Sequence, residues 1–347
     1  MALNASRSAV GAYFGFGIVT LNTTATSTDI KVWVKTEDDA DGMNPIQEMV
    51  PFDPNDRYDH SAVNIYKGRQ HGDGSCTIKV GWDDAQDILR ILTGHNITVM
   101  GAGPFTYDFN LVDPDLGSAN HHLLGSTARE VVIERFTNSA DGSSIYYQGC
   151  IPVSWSVVME PGGMVAFTIN WIHRSTTRTA KSTPLFSTNL IRTPTGQTTI
   201  MLELTKNAVA TTFISNGVTV TVNQPATWRW DTADASPVNG AYVSEKRTVT
   251  LETDIEGPAN DEFLIDILEN PQDTLKRFDT ATVRLENAGV TEQLLIALRE
   301  ATIEPPATRK QAGVGLARAQ IALKAHHDGN EIAEVTFIGP TSDYKIT

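Results

Sequence analysis

SSIYYQGCIPVSWSVVMEPGGMVAFTINWIHR, residues 143–174, contains two long apolar-rich runs separated by Glu160-Pro161-Gly162-Gly163. β-Branched and aromatic residues alternate or cluster in both runs, as suits a pleated, half-buried surface. The Pro-Gly-Gly stretch cannot continue a strand, so the segment predicts a β-hairpin. Working outward, TDIKVWVKT (28–36), SAVNIYKG (61–68), SCTIKVGW (75–82), PFTYDFNLV (104–112) and AREVVIERF (128–136) have the same character, with turn signals between them. The expected fold is mainly β.

Two segments break the β pattern. DDAQDILRILTG offers Asp83 or Asp84 as N-cap, apolar Ile88, Ile91 and Leu92 at helical spacing, and Gly94 where a helix ends in the left-handed conformation. NDEFLIDILENP has Asn260 as cap, Phe263, Leu264, Ile267 and Leu268 on one face, and Pro271 beyond its end. Helices are therefore predicted over 83–93 and 260–269.

Each predicted helix follows a strand, CTIKV in one case and RTVTLET in the other. After the first come AREVVIERF, IYYQGCIPVSWSVVM and MVAFTINWI; after the second come TATVRLENA, QLLIALREATIE and GLARAQIALKAH. Repetition of element order with a period near half the chain predicts two similar β domains, too long for solenoid repeats. STTRTAKSTP (175–184) is polar, lacks apolar periodicity and ends in proline, so it reads as a linker. The expected division is a first domain over 1–174, the linker over 175–184, and a second domain over 185–347. Each domain is a β-sandwich or barrel with one flanking helix.

The chain's 347 residues suit two domains. No apolar run approaches the roughly 18 to 20 residues of a membrane-spanning helix, and the first residues do not read as a secretory signal. Neither membrane association nor secretion by that route is expected. Cys76 and Cys150 could form at most one bridge and read as partly buried thiols made in a reducing compartment. With 41 acidic against 27 basic residues the net charge is −14, which disfavours binding to nucleic acid through its phosphates.

Catalytic motifs are fragmentary. His121-His122 and His326-His327 are adjacent pairs, and neighbours on a strand point to opposite faces, so neither pair is suited to chelate one metal. Asp53-Pro54-Asn55-Asp56 begins like a calcium loop, but Tyr58 stands where the turn needs glycine and Asn64 where it needs glutamate. Gly15-Phe16-Gly17, Gly101-Ala102-Gly103 and Gly313-Val314-Gly315 complete no nucleotide-binding fingerprint. Trp228 and Trp230 could stack on sugars or bases, although packing or subunit contact is the plainer role. No enzyme, metal or cofactor is expected from these residues.

GDGSCTIKVGWDDAQDILRILTG (72–94) and YYQGCIPVSWSVVMEPGGMVAFTINW (146–171) carry a resemblance, repeated less closely by EKRTVTLETDIEGPANDEFLIDILEN (245–270) and ATIEPPATRKQAGVGLARAQIALKA (301–325). In these stretches each half resembles the tail tube domain of long-tailed bacteriophages. The resemblance implies a structural, non-enzymatic subunit of a virion, assembled in the host cytoplasm. Such subunits form rings that stack into a tube conducting double-stranded DNA during ejection. Two tandem domains per chain imply a homo-oligomeric ring of three chains with pseudo-sixfold symmetry. It also implies tape-measure and tail-tip or terminator proteins as partners, and DNA that passes without specific binding.

EDDADGMNPIQEMVPFDPNDRYDH (37–60) lies between two strands and reads as a long loop, and the family uses a loop at this place to reach the neighbouring ring. Met43, Ile46, Met49, Val50 and Phe52 give it apolar content suited to docking. Tyr13, Phe14 and Phe16, among glycines near the start of the chain, are a second set of candidate inter-ring contacts or else an edge strand of their own domain. Two alternatives stay open: a tail-tip, terminator or contractile-injection ring, and a two-domain carbohydrate-binding β-sandwich or glycan hydrolase using Trp228, Trp230 and scattered carboxylates.

Overall fold

The computed structural model describes residues 12–20, 23–35, 43–52, 64–94, 103–111, 129–136, 142–191, 200–230, 237–243, 246–256, 277–286, 292–312, 316–326, 328, 331–340 and 344–346. The fold is mainly β, with one helix among the described residues. In the first half the order is β1 (Tyr13–Thr20), β2 (Ile30–Lys35), β3 (Met43–Phe52), β4 (Asn64–Lys79), α1 (Ala85–Thr93), β5 (Phe105–Leu111), β6 (Arg129–Phe136), β7 (Ser143–Met159), β8 (Ala166–His173) and β9 (Ser175–Ala180). In the second it is β10 (Ile200–Lys206), β11 (Val209–Asn223), β12 (Ala226–Trp230), β13 (Pro237–Val243), β14 (Thr248–Glu256), β15 (Thr280–Glu286), β16 (Gln293–Arg299), β17 (Thr302–Ala312), β18 (Leu316–Lys324) and β19 (Ala333–Gly339).

The 143–174 stretch forms the expected hairpin. β7 and β8 pair antiparallel, and the turn is closed by Gly163 N–H donating to the Glu160 carbonyl at 3.0 Å, with Gly162 at φ 74°. A side chain at Gly162 would be strained in that left-handed region.

Ladder by ladder, the second half repeats the first. β1 lies between β2 and β6, as β10 lies between β11 and β15. β6 pairs with β7 and β7 with β9, as β15 pairs with β16 and β16 with β19. β8 joins β7 to β4, as β18 joins β17 to β14. The hairpin β3–β4 has its counterpart in the long hairpin that β11 and β12 make with β14 and β13. Two ladders then cross between the halves: β7 with β11, and β5 with β19.

Two expectations change here. Segment 37–60 is not wholly loop: Met43–Phe52 is a strand laddered to Asn64–Gly74 of β4. Pro45 and Pro51 hide it from sequence reading, yet proline is tolerated where a strand has a partner on one side only. Residues 175–184 are not a free linker, because Ser175–Ala180 pairs with Ser143–Gln148 of β7. The chain then stays on the first half through Ile191, whose amide donates to the Val80 carbonyl at 2.9 Å. The helix predicted over 260–269 lies outside the described residues, as do His121 and His122.

α1 follows the first expected helix, and Gly94 ends it at φ 78°, its amide donating to the Arg90 carbonyl. Strict alternation along β8, β15, β16 and β19 sends every second side chain into one apolar core shared by the two halves.

Candidate assembly interface

One sheet runs through the molecule in the strand order β3, β4, β8, β7, β11, β14, β18, β17. Each half supplies four of these strands. The ladder that joins them pairs Ser154–Met159 with Val218–Asn223, so the sheet continues from one half to the other without a break.

Its two faces differ in chemistry. Inward lie Cys76, Ile78, Phe167, Ile169, Trp155, Val157, Val218, Val220, Leu251 and Leu323, all buried. The alternate positions carry short hydroxyl and amide side chains, among them Thr77, Thr168, Asn170, Ser154, Ser156, Thr219, Thr221 and Thr250. They bond across strands: Thr77 to Thr168 through their hydroxyls at 3.0 Å, and Asn170 Nδ2 donating to Ser154 Oγ at 2.7 Å. Threonine and serine suit this position because they favour the pleat and leave a polar, uncharged surface. Among the side chains the structure describes, the charged positions of this face include Asp73, Glu252, Asp254 and Glu304 against Lys79 and Lys324, the last 3.6 Å from Glu304.

The sheet ends in two open edges. Among the described residues, β3 is laddered to β4 alone, and β17 to β18 alone beyond Thr302, which bridges Arg277. β3 contains Pro45 and Pro51, and β17 contains Pro305 and Pro306. Proline supplies no amide donor and limits promiscuous pairing along an edge.

Met43, Ile46, Met49, Val50 and Phe52 all lie on β3, so the structure gathers this candidate set on one edge strand. Tyr13, Phe14 and Phe16 fare differently. They sit on β1, which has a partner on both sides, and are 2%, 0% and 0% exposed. Their apolar surface is buried inside the chain, and β1 is an interior strand rather than an edge. The intervening glycines serve close packing: a Cβ on Gly17 would stand 2.2 Å from the Asp29 carbonyl oxygen. Beneath β1 the Tyr13 hydroxyl donates to Glu134 Oε1 at 3.1 Å, and burial pushes its phenol up to about 12, with the Ser182 bond opposing.

A second polar cluster was invisible in the sequence. The residues before the chain's last position fold back over α1. The backbone amides of Lys345 and Ile346 donate to the two Asp87 carboxylate oxygens at 3.2 and 2.9 Å. Arg90 donates to the Ile346 carbonyl and lies over the Tyr344 ring, 4.5 Å from its centroid. Lys345 Nζ pairs with Asp84, which therefore forms no side-chain cap for the helix that it precedes. Burial pushes the Asp87 carboxyl up to about 6, against the two amide bonds that favour its ionised form. Burial also raises Asp84, with Lys345 opposing. This is a docking clasp, with no nucleophile beside a base.

Catalytic readings find little geometry. No group of three His, Cys, Asp or Glu side chains able to hold a metal occurs among the described residues. Cys76 and Cys150 are buried thiols outside any disulfide, and burial holds Cys150 well above the usual range for a thiol, the reverse of an activated nucleophile. A cleft of about 290 Å³ beside Trp33, Lys79 and Phe186 has Asp84 as its one described carboxylate, already held by Lys345. Trp228 and Trp230 lie on β12 in the hairpin with β13, and His326 Nε2 lies 2.8 Å from the Thr302 hydroxyl. No protein-family model matches the chain, and no curated protein does either.

Proposed function

We propose that the chain is a structural subunit whose copies close into a ring, the rings stacking into the tail tube of a bacteriophage through which double-stranded DNA passes. The observation that carries this reading is the eight-strand sheet built from two like four-strand modules. A strand junction between the modules inside one chain is a unit that can be repeated between chains, and closure into a ring satisfies every edge. Three chains then supply six modules. The resemblance of both halves to tail tube domains supports the same assignment, and tape-measure and tip proteins are the partners it brings.

The hydroxyl face of the sheet supports the role of a bore. A channel that passes DNA must offer few cationic anchors, because each phosphate contact adds affinity and slows passage. Short uncharged side chains with a modest acidic surplus meet that need, and the net charge of −14 agrees with it. Electron microscopy of the purified protein tests the proposal. Rings of three chains, stacked end to end with the Thr77, Thr168 and Thr219 face inward, are the expected result; a monomer, a six-chain ring, or a bore lined by lysine and arginine would overturn it.

A further inference from the structure

We propose that copies of this chain join head to tail, with β17 of one copy adding antiparallel to the start of β3 in the next, so that Thr308 faces Asn44 and Arg309 faces Met43. The inference rests on the reading of the chain as a ring-building subunit and assigns the edges and register by which it would close.

The argument begins with the junction inside the chain. There Ser156 pairs with Thr221 and Val157 with Val220. Equivalent residues follow from the repeated ladders. Ala166 pairs with Lys79 at the end of β4, as Arg318 pairs with Glu256 at the end of β14, so β8 maps onto β18 with Ala166 at Arg318. An independent bond agrees with this alignment. The Arg174 amide donates to the Gln148 carbonyl, and the His326 amide, at the matching place, donates to the Arg299 carbonyl.

Ser156 and Val157 pair with Thr168 and Phe167, whose counterparts Gln320 and Ala319 pair with Thr308 and Arg309. Thr308 and Arg309 thus stand in β17 where Ser156 and Val157 stand in β7. On the other side, Val220 pairs with Leu251, and Met43 pairs with Gly74, the residue that matches Leu251. Met43 and Asn44 thus stand where Val220 and Thr221 stand. The first half's β7 edge is filled by β11, whereas its counterpart, β17 from Thr308 on, has no second ladder among the described residues; β14 is flanked by β11, and the counterpart of β11 is the start of β3, likewise without a second ladder among them.

The occupant is a second copy because the two open edges are the two sides of a junction that this chain already makes. An edge strand presents unpaired amide and carbonyl groups, and a partner of matching direction satisfies them. Unlike surfaces meet in this contact, so repetition produces a ring when the rotation closes and a filament when it does not. Pairing of β17 with another β17 would set like against like, with no counterpart inside the chain.

Two measurements test it. In wild type, whichever of the Thr308 and Arg309 amides points away from β18 should exchange at least about 10-fold more slowly on assembly, since it enters a ladder; unchanged exchange at both in an assembled sample overturns the proposal. In a variant carrying both N44C and T308C, mild oxidation should give covalent species that end at three chains, and a mixture of the two single variants should stop at two. Cys76 and Cys150 are buried and will not compete. Cross-linking as efficient from N44C with I303C would overturn the register. Rings that form without either signal would overturn these edges while leaving the tube reading intact, and wild-type protein that stays monomeric would overturn both.

Discussion

In the first half a single strand, β7, serves both layers of the sandwich, pairing with β6 and β9 along its first part and with β8 and β11 along its second. In the second half the same work is divided between β16 and β17, with Glu300 between them at φ 47°. The matching residue in β7 is Gly149, at φ 64°. Both halves therefore kink at one place in the left-handed region. The difference lies in the residue that occupies it, and the shared ladders teach that pairing partners, rather than side-chain identity, hold this fold constant.

The largest expected difference between the halves is in the core of the shared sheet. Trp171 and Leu323 occupy equivalent ladder positions, pairing with Gly74 and Leu251, and both are buried. Trp171→Ala should cost about 4 kcal/mol and Leu323→Ala about 3 kcal/mol, through lost burial and the cavity left behind. Denaturant unfolding measures both. Equal transitions seen by probes in either half would show that the halves unfold together, as one shared core requires; separate transitions would break the comparison by making them independent units.

The kink gives a smaller effect of opposite sign on the two sides. Gly149→Ala should destabilise by about 2 kcal/mol, because the new Cβ needs a left-handed backbone and would meet the Arg174 Cβ at 3.1 Å. Glu300→Gly should be stabilising by up to about 1 kcal/mol, less the exposed pair with Arg277 that it removes. Thermal melts of the two variants read this directly. A loss on Glu300→Gly as large as that of Gly149→Ala would mean that the kinks are not equivalent.

The smallest expected effect belongs to the clasp on α1. Burial pushes the Asp87 carboxyl from its ordinary 3.8 up to about 6 in the folded protein. A raised carboxyl favours the folded state at low pH, fully so below the unfolded value, and that contribution is lost as pH rises through the folded one. Between pH 5 and pH 7 the loss should be roughly 1 kcal/mol, with Asp84 acting in the same direction. Amide exchange over 85–93 should therefore quicken from pH 5 to pH 7 after correction for intrinsic rates, and Asp87→Asn should flatten the trend. A profile that persists in Asp87→Asn would assign it to Asp84.

Much of the fold was legible because it is local. The Glu160–Gly163 turn, the strands of alternating pattern and Gly94 at the end of α1 all follow from dihedral preferences and two-residue or helical periodicity. Gly149 could have been suspected of a kink, but Glu300 could not, and QLLIALREATIE reads as one unbroken strand. For the candidate contacts the structure decides place: Met43, Ile46, Met49, Val50 and Phe52 lie on the edge strand β3, whereas the same apolar signal in Tyr13, Phe14 and Phe16 marks an interior strand.

The sequence by itself determined a mainly β chain with a repeated element order and a helix expected over 83–93 and found at Ala85–Thr93, since side-chain period and turn chemistry act over a few residues. Only the tertiary structure decided that β3 and β9 are strands, which edges stay open, and that α1 is buried on its polar face by residues 344–346. The physical reason is that backbone amides and carbonyls are alike at nearly every residue, so which strand satisfies which is set by neighbours far along the chain. Nothing near Asp87 and Arg90 in the sequence marks them as buried; a segment more than two hundred residues away supplies their hydrogen bonds.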